Sequence, residues 1–426
     1  MQLCGCKVNQ YETDKLKEQA EQRGYQVVDF DRVADVYCIN SCSVTNMSQR
    51  KSRQMVSHAR HINKEALISV IGCAVESAKE ELETLNADIL IGNNDKEQFF
   101  EVLDRALKEK HCEKKIVLTD IANQKEYNEK GLLTKAYDVR EAVKIEDGCN
   151  NFCSYCIIPY LRGRVRSKPY EDIEKEVKGL IKLGVKEIVL VGIEVASYGK
   201  DIDGMSLIDV IEKLDKIPGL ERLRLSSLEP RFLTEENIAR LASCKSLCDH
   251  FHISMQSGST DTLKRMNRKY DKTLLIEVCH NIRKYFPDSY IAVDCIVGFP
   301  GETDSEFNET VRTIAEMNLS DMHVFKYSKR AYTRAAKMPE QVDGNIKKER
   351  SEVLIKIAEN AKQEFLKKHL GKTCKVLFES ENEGILQGYT TNYIKVQVKG
   401  DKALCGTIQD VVLTSLEGEI VLGKKP

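Results

Sequence analysis

Several features that commonly reveal a function are missing from this sequence. No run of residues is apolar and long enough to span a membrane, and no signal peptide is visible, so we expect no membrane association and a cytoplasmic location. The 65 basic residues balance 66 acidic ones, for a net charge of −1, so overall charge does not predict a nucleic-acid partner. Tryptophan is absent, which excludes little, and no low-complexity segment or short repeat is visible.

Cysteine, in contrast, is abundant. The 426 residues include 15 cysteines, an odd number that a framework of paired disulfides does not explain. This usage fits metal-bound thiols in a reducing compartment better than disulfides in a secreted protein. A chain of this length has room for two or three domains.

Three of these cysteines follow the spacing Cys149-x3-Cys153-x2-Cys156. Three thiolates can hold three irons of a [4Fe–4S] cluster and leave the fourth iron open to a small molecule, whereas four ligands would favour electron transfer. A zinc site more often has two C-x2-C pairs or added histidines, and no histidine lies in or beside this loop. Zinc and inert buried thiols are the alternatives.

Residues 1–131 alternate between strand and helix patterns. Strands are predicted at Val36–Asn40, Leu67–Ile71 and Ile89–Gly92, and helices at about Thr13–Gln22, Met47–Asn63 and Lys96–Lys108. The alternation predicts a small α/β domain with a mainly parallel sheet. A polar stretch at 123–135 is the predicted linker.

Residues 136–365 repeat a strand followed by a helix. The predicted strands are Ala142–Glu146, Glu187–Val191, Arg222–Ser226, His250–Met255, Tyr290–Ile296 and His323–Tyr327. Six units are too few for a closed eightfold barrel, so we predict an open, partial (β/α)6 barrel. Its reactive face is expected at the carboxyl ends of the strands, where the loop with Cys149 follows the first strand.

Residues 366–426 change to short strands after a long predicted helix at Ile346–His369. The strands are predicted at Thr373–Glu379, Ile385–Thr390, Ile394–Val398 and Val411–Leu416. This pattern predicts a small β-barrel, a fold that often binds RNA. A purely structural lid is the alternative.

Three further cysteines are predicted to meet at one edge of the N-terminal sheet. Cys42 and Cys73 lie just beyond predicted strands, and Cys6 occupies the equivalent loop after a first strand. Open parallel sheets place ligands beyond the carboxyl ends of their strands. Three convergent thiolates again fit a cluster with an open iron, with core or redox thiols as the alternative.

The Cys149 loop, with Tyr155 before its last cysteine, resembles the radical S-adenosylmethionine (SAM) superfamily. In that superfamily SAM binds the open iron, and one electron from the cluster cleaves it to methionine and a 5′-deoxyadenosyl radical. Further segments, in the same order along essentially the whole chain, are similar to those of the methylthiotransferases. They are Gly5–Glu12, Asn40–Thr45, Ile71–Cys73, Arg162–Ser167, Ser226–Pro230, Gln256–Ser259 and Val297–Glu302.

This resemblance implies two [4Fe–4S] clusters and SAM as cofactors. Cys149, Cys153 and Cys156 would hold the radical-generating cluster, and Cys6, Cys42 and Cys73 an auxiliary cluster that provides the methylthio sulfur. The C-terminal barrel resembles a TRAM domain. The chain starts only five residues before Cys6, so its start is expected to be truncated or misassigned.

The Gly5–Glu12 segment is most similar to the branch that acts on N6-threonylcarbamoyladenosine of tRNA. We therefore expect a transferase that inserts a methylthio group at C2 of this base at position 37, next to the anticodon. The alternatives are the branches acting on isopentenyladenosine or on a ribosomal-protein aspartate. A non-enzymatic iron–sulfur RNA-binding redox sensor is the alternative from another class.

The resemblance also implies SAM contacts, which we assign to Tyr155, Glu229, Gln256, Arg268 and Ile296. Tyr155 and Ile296 are expected beside the adenine, Glu229 and Gln256 stand at strand ends, and Arg268 is expected to pair with the SAM carboxylate. Each has a plain alternative. These are core packing for Tyr155 and Ile296, solvated loops for Glu229 and Gln256, and a phosphate or surface contact for Arg268.

RNA is expected to bind local positive charge. The three basic runs are Arg50, Lys51 and Arg53; Arg162, Arg164 and Arg166; and Lys326, Lys329, Arg330 and Arg334. The second run is favoured because it follows the reactive cysteines, and Lys329 and Arg330 are further predicted contacts. Solvated charge without RNA is the alternative. The expected partners are the tRNA anticodon stem-loop, a reductant such as flavodoxin or ferredoxin and a sulfur donor, with the chain itself a monomer.

Overall fold

The N-terminal part is a parallel sheet flanked by helices. A computed structural model describes residues 2–3, 7–43, 46–78, 82–109, 114–129 and 133–425 of the protein. Strands β1–β5 are Gln2–Leu3, Val36–Ser41, Leu67–Gly72, Ile89–Ile91 and Lys115–Val117, and helices α1–α4 are Lys7–Gln22, Asn46–Ile62, Cys73–Ser77 and Phe99–Lys108. The five strands lie side by side in chain order and all are parallel.

Helix α1 begins at Lys7, six residues before its predicted start at Thr13. Val8 and Tyr11 extend its apolar face by one turn and are almost fully buried. Burial against the neighbouring domain therefore lengthens the helix beyond the part that the local pattern predicted.

The central part is an open barrel of six parallel strands. Its strands and helices, in chain order, are β6 Arg140–Lys144, β7 Glu146–Asp147, α5 Ile158–Leu161, β8 Arg166–Ser167, α6 Tyr170–Lys182, β9 Glu187–Val191, α7 Leu207–Leu214, β10 Arg222–Leu225, α8 Glu235–Ala242, β11 His250–Gln256, α9 Thr260–Arg265, α10 Lys272–Tyr285, β12 Tyr290–Val297, α11 Asp304–Met317 and β13 Asp321–Lys326. Two three-stranded sheets, β6-β9-β10 and β11-β12-β13, are joined by single bridges that include Leu228 to Ile253.

Helix α1 packs against strands β6 and β9 of the central barrel. Ile188 and Leu190 of β9 pack outward into the main core beneath the barrel helices. Val189 and Val191, on the opposite face of β9, pack against Val8 of α1 instead. The start of α1 therefore packs against the inner face of β9.

The C-terminal part is a closed five-stranded barrel that follows helix α12, Gly344–His369. Its strands β14–β18 are Thr373–Asn382, Ile385–Thr390, Lys395–Lys399, Ile408–Glu417 and Ile420–Lys424, of which β18 was not predicted. Arg222 of the central barrel fixes it by donating to the carbonyls of Tyr389 and Lys375.

The predicted fold class, with parallel α/β parts and a small C-terminal barrel, is confirmed. Among the helices of the described residues, none combines the length and apolar character that a membrane span requires.

Candidate active site

The loop with Cys149, Cys153 and Cys156 is held in one shape by the surrounding backbone. Strands β7 and β8 pair at its base. Gly148 has a φ of +83°, and a Cβ added there would lie 1.9 Å from the carbonyl oxygen of Arg164, so only glycine fits. The amide of Cys149 donates to the carbonyl of Gly163 at 3.1 Å. The loop geometry is thus set by the fold.

The environment of the three thiols fits iron ligands. Burial raises the pKa of Cys156 to about 12, with Cys153 adding to the shift, and burial also raises the pKa of Cys149. Such thiols ionise only beside strong positive charge, which bound iron supplies. Two donors are directed at sulfur: the Asn151 amide lies 3.5 Å from Cys149 Sγ, and Arg268 Nη1 lies 3.2 Å from Cys153 Sγ. These donors favour the thiolate form that a cluster requires.

Two buried carboxylates beside this loop were not predicted as site residues. Glu194 follows strand β9, and burial raises its pKa to about 7, against the opposing effect of Arg268. The Oε1 atoms of Glu194 and Glu146 are buried and lack a hydrogen-bond partner among the described residues. Such atoms call for a donor, and the amino group of SAM fits this need. The rule that ligands bind beyond strand ends would have pointed to Glu194.

An apolar wall lies on the other side of the cysteine loop. Tyr155 and Ile296, both predicted SAM contacts, pack with Phe299, Met266 and Tyr327. The rings of Tyr155 and Phe299 meet edge to face, with centroids 6.5 Å apart. A wall of this kind fits the flat face of an adenine.

The three polar SAM candidates have different settings. Arg268 is committed to protein partners as well as to Cys153, since Nε donates to the Tyr270 hydroxyl at 2.7 Å and Nη2 to the Ser254 carbonyl at 3.2 Å. Glu229 is buried and accepts a hydrogen bond from the side chain of Arg231 in the following turn. Gln256 has a φ of +67°, a left-handed conformation that is uncommon for this residue type and is concentrated at binding sites.

The second cysteine set lies at the carboxyl edge of the N-terminal sheet. Cys42 and Cys73 directly follow β2 and β3, which run in register so that Ser41 lies beside Gly72. Both thiols are buried. Cys6 lies outside the described residues, between the end of β1 and the start of α1 at Lys7. The order of the strands agrees with the predicted convergence of these loops.

The two cysteine sets approach each other across the boundary between the domains. Cys73 packs against Ile157 and Leu161, and Ile157 is the residue after Cys156. The side-chain amide of Asn93 donates to the Leu161 carbonyl at 2.8 Å and lies 3.4 Å from Cys73 Sγ. The loop of Cys73 and the segment that follows Cys156 are therefore in direct contact.

Arg162 lies in a buried ion-pair network between helix α1 and the central barrel. It is 1% exposed and donates to Glu12 at 2.9 Å and to Asp147 at 3.1 Å. Lys144 lies 2.8 Å from each of the same carboxylates. Arg166 is also buried and donates to backbone carbonyls of its own loop. Arg162 and Arg166, which were predicted to contact RNA, therefore have their guanidinium groups enclosed by protein in this structure.

Arg330 is likewise not on the surface. Only 5% of it is exposed, and its Nη2 donates to the carbonyl of Ser43, next to Cys42. Its predicted RNA contact is replaced by a tether between the loop after β13 and the loop of Cys42. Arg164 and Lys329, in contrast, are exposed, and the Arg164 guanidinium lies 4.5 Å from the centre of the Phe152 ring.

Two family models match the chain. The radical SAM superfamily model matches residues 143–314, and the model of the uncharacterized protein family UPF0004 matches residues 1–92. A solved structure of the radical S-adenosylmethionine methyltransferase TsrM from Kitasatospora setae, with cobalamin and a [4Fe–4S] cluster bound, matches with a TM-score of 0.57. The match covers 76% of this chain and 73% of that one at 15% identity, which supports the fold alone.

Curated relatives match nearly end to end. Threonylcarbamoyladenosine tRNA methylthiotransferase MtaB of Bacillus subtilis is 37% identical, covering 96% of this chain and 91% of the relative. The Thermotoga maritima protein of the same name is 36% identical, covering 98% and 94%. The tRNA-2-methylthio-N(6)-dimethylallyladenosine synthase of Acetivibrio thermocellus is 34% identical, covering 98% and 89%.

Proposed function

Because the chain belongs to the radical SAM tRNA methylthiotransferases, we propose that its substrate is N6-threonylcarbamoyladenosine at position 37 of tRNA. The product would be 2-methylthio-N6-threonylcarbamoyladenosine. The resemblance to this family is confirmed, and so is the use of SAM and [4Fe–4S] clusters. Relatives named for the threonylcarbamoyl and dimethylallyl bases match at similar identity, so the N6 substituent is the point that the experiment below tests.

One observation supports the two-cluster reaction most directly. Cys73 packs against Ile157, the residue after Cys156, so loops of the two cysteine sets lie next to each other. Transfer of sulfur to a carbon radical requires the sulfur and the radical source to be this close, since the radical must not meet water or protein first. A redox sensor without catalysis has no such requirement.

In the proposed enzyme Cys149, Cys153 and Cys156 hold the radical-generating cluster, and Cys6, Cys42 and Cys73 hold the auxiliary cluster. The bound clusters and SAM supply the radical and the methylthio sulfur, chemistry that side chains cannot perform. The protein contributes position and charge. Tyr155 and Ile296 would flank the adenine of SAM, Glu194 would accept from its amino group, and Arg268 would hold one cysteine ligand in its thiolate form.

The proposed tRNA surface consists of exposed residues that follow the Cys149 loop and strand β13. Arg164 and Lys329 are exposed and can reach phosphates. Tyr160 in helix α5, Phe325 near the end of β13 and Tyr332 in the turn after it are exposed aromatic residues, 42%, 45% and 56% accessible, and lie close in sequence to these cations. Exposed rings beside cations suit the unstacked bases of an anticodon loop, which bind by stacking.

The remaining partners follow from the reaction. Radical generation needs an electron donor such as flavodoxin or ferredoxin, and repeated turnover needs a sulfur donor. A tRNA substrate implies work in the cytoplasm, and a monomer is sufficient because the described chain supplies both cysteine edges. The proposed division is residues 1–131, 136–365 and 366–426.

The test is anaerobic reconstitution with iron, sulfide, SAM and a reductant, followed by reaction with tRNA. One tRNA carries N6-threonylcarbamoyladenosine and a second carries isopentenyladenosine, and nucleosides are analysed by mass spectrometry. We expect a methylthio derivative of the threonylcarbamoyl base. Methylthiolation only of isopentenyladenosine, or only of a ribosomal-protein aspartate, would contradict the substrate assignment.

Cysteine variants test the roles of the two sets. Cys149→Ala should abolish SAM cleavage while most auxiliary-cluster iron remains. Cys42→Ala should keep part of the SAM cleavage yet stop sulfur transfer. Cys405→Ala, in the C-terminal barrel, is the matched control and should retain both. Unchanged sulfur transfer in Cys42→Ala would refute the auxiliary-cluster assignment.

A further inference from the structure

Three polar side chains form a cluster on the inner wall of the open barrel. His252, Asp294 and His323 lie on the adjacent strands β11, β12 and β13. Their chain neighbours Ile253 and Val293 pack outward into the main core beneath the helices. Because side chains alternate along a strand, the cluster faces the barrel interior.

Asp294 joins the two imidazoles. Its Oδ1 lies 3.0 Å from His252 Nε2 and 3.5 Å from His323 Nδ1, and the two rings meet edge to face with centroids 4.9 Å apart. The hydrogen bond from His323 to Asp294 raises the pKa of the imidazole. Because Asp294 engages Nδ1 and His323 is 52% exposed, Nε2 is left to donate a hydrogen bond towards the barrel interior.

The cluster lies one layer below the radical-generating loop. Ser254 is two residues after His252 and accepts from Arg268, which also donates to Cys153. On the next strand, Ile296 is two residues after Asp294 and packs with Tyr155. Two residues along a strand correspond to about 7 Å. A base positioned beside the cysteine loop would therefore reach the cluster with a substituent of several atoms.

Other charged and titratable groups border the cluster. Below it, burial lowers the pKa of His250, and Arg224, Lys7, His252 and His323 act in the same direction. Arg224 is paired with Glu187 at 2.6 Å. On the side of the edge strand, Asp321 is paired with Lys362 at 3.4 Å.

The cluster could bind either a cation or an anion, and the charge of its own side chains decides between them. The ligand atoms of the cluster lie within 4.8 Å of one another, which would also suit a divalent cation. The hydrogen bond to Asp294 favours the charged form of the His323 imidazole, which repels a cation and attracts an anion. A carboxylate that reaches His323 from the barrel interior meets an N–H on the ring nitrogen that Asp294 does not engage.

We propose that His323, oriented by Asp294, binds the carboxylate of the threonylcarbamoyl group and so selects this base over one with an apolar N6 substituent. This inference rests on the proposed substrate. An isopentenyl group has no charge to pair with the His323 imidazole at this position. Asp294 is a positioning residue, since it fixes the tautomer and orientation of His323.

The test uses the reconstituted holoenzyme and two anticodon stem-loops. One carries the natural threonylcarbamoyl base, and the other carries its threonine amide, which has the same shape without the charge. We expect the wild type to prefer the acid by about 10- to 100-fold in kcat/KM, the usual effect of a charge-assisted hydrogen bond. In His323→Phe this preference should disappear, and the lower kcat/KM for the acid should result mainly from a higher KM.

Two variants separate binding from general damage. His280→Phe, on the exposed side of α10, should keep the wild-type preference. Asp294→Asn should move the rise of KM with pH to lower pH, because His323 then loses the group that raises its pKa.

The outcomes are distinguishable. If the wild type modifies the acid but His323→Phe keeps the preference for acid over amide, the inference is overturned while the proposed function stands. If the wild type modifies only isopentenyladenosine, the proposed function fails and the inference with it. Stoichiometric zinc or manganese that is present in the wild type and absent from His323→Phe would make the cluster a metal site and overturn the carboxylate assignment.

Discussion

Replacing Arg162 by methionine tests the buried network that joins helix α1 to the central barrel. Arg162 donates to both Glu12 and Asp147, and the change removes these bonds while keeping a side chain of similar length. Lys144 still lies 2.8 Å from each carboxylate, so neither charge is left alone. We therefore expect a loss of about 3 kcal/mol, the low end of the 3–5 kcal/mol that removal of one partner from a buried ion pair costs.

The assay is denaturant unfolding of the wild type, Arg162→Met and Arg164→Met. Arg164 is two residues away but exposed, and its contact with the Phe152 ring is worth about 0.5–1 kcal/mol. The difference between the two variants therefore isolates the effect of burial. Hydrogen exchange should locate the weakening in α1, because Glu12 lies on that helix. A Glu12→Gln, Arg162→Met double variant should lose less than the sum of the single losses, since the two residues share one network.

The opposite pattern would refute this reasoning. If Arg162→Met is as stable as Arg164→Met, the ion pairs contribute nothing measurable. If it also binds the anticodon stem-loop more weakly, with a salt dependence reduced by about one ion, Arg162 contacts a phosphate as its sequence position predicted.

Three further predictions concern the cysteine loop, the pH dependence and the C-terminal barrel. Gly148→Ala should lose the iron of one cluster because the added Cβ meets the Arg164 carbonyl, whereas Gly204→Ala, with the same φ of +83° and open space, should retain iron by analysis of metal content. Burial raises the pKa of Glu141 to about 7, so the folded state loses stability as pH rises from the pKa of the unfolded state towards 7. Glu141→Gln should therefore be more stable than the wild type at pH 8, and this difference should be small at pH 4.5. Arg222→Met should release the C-terminal barrel, visible as faster proteolysis there, since it removes two charged hydrogen bonds worth about 1.5–3 kcal/mol each; unchanged proteolysis would show that the barrel is held by other contacts.

Most of the strands were predictable because their signals are local. Glu187–Val191 was predicted with the bounds that the structure has, and the other barrel strands differ by only a few residues. Runs of β-branched and aliphatic residues between polar turns carry enough information to identify a buried parallel strand. Strand β18, Ile420–Lys424, was missed, and its place is determined by pairing with β16 and β17.

The roles of the charged residues were less predictable. Arg162, Arg164 and Arg166 are equivalent as a sequence pattern, but only Arg164 is exposed. The partners that bury Arg162 include Glu12, which is 150 residues away in the chain. A basic run therefore cannot be divided into surface and core positions until the packing of the two domains is known.

The spacing of Cys149, Cys153 and Cys156 was sufficient to predict an open-iron cluster, because three ligands within one loop need no other part of the chain. The positions of Cys42 and Cys73 after strands were sufficient to predict a shared edge, because neighbouring parallel strands end together. The sequence did not show that Cys73 contacts Ile157. It also did not show that His252, Asp294 and His323 form a cluster. These contacts join residues from separate strands and domains, and such proximity arises only when burial of apolar faces brings those elements together.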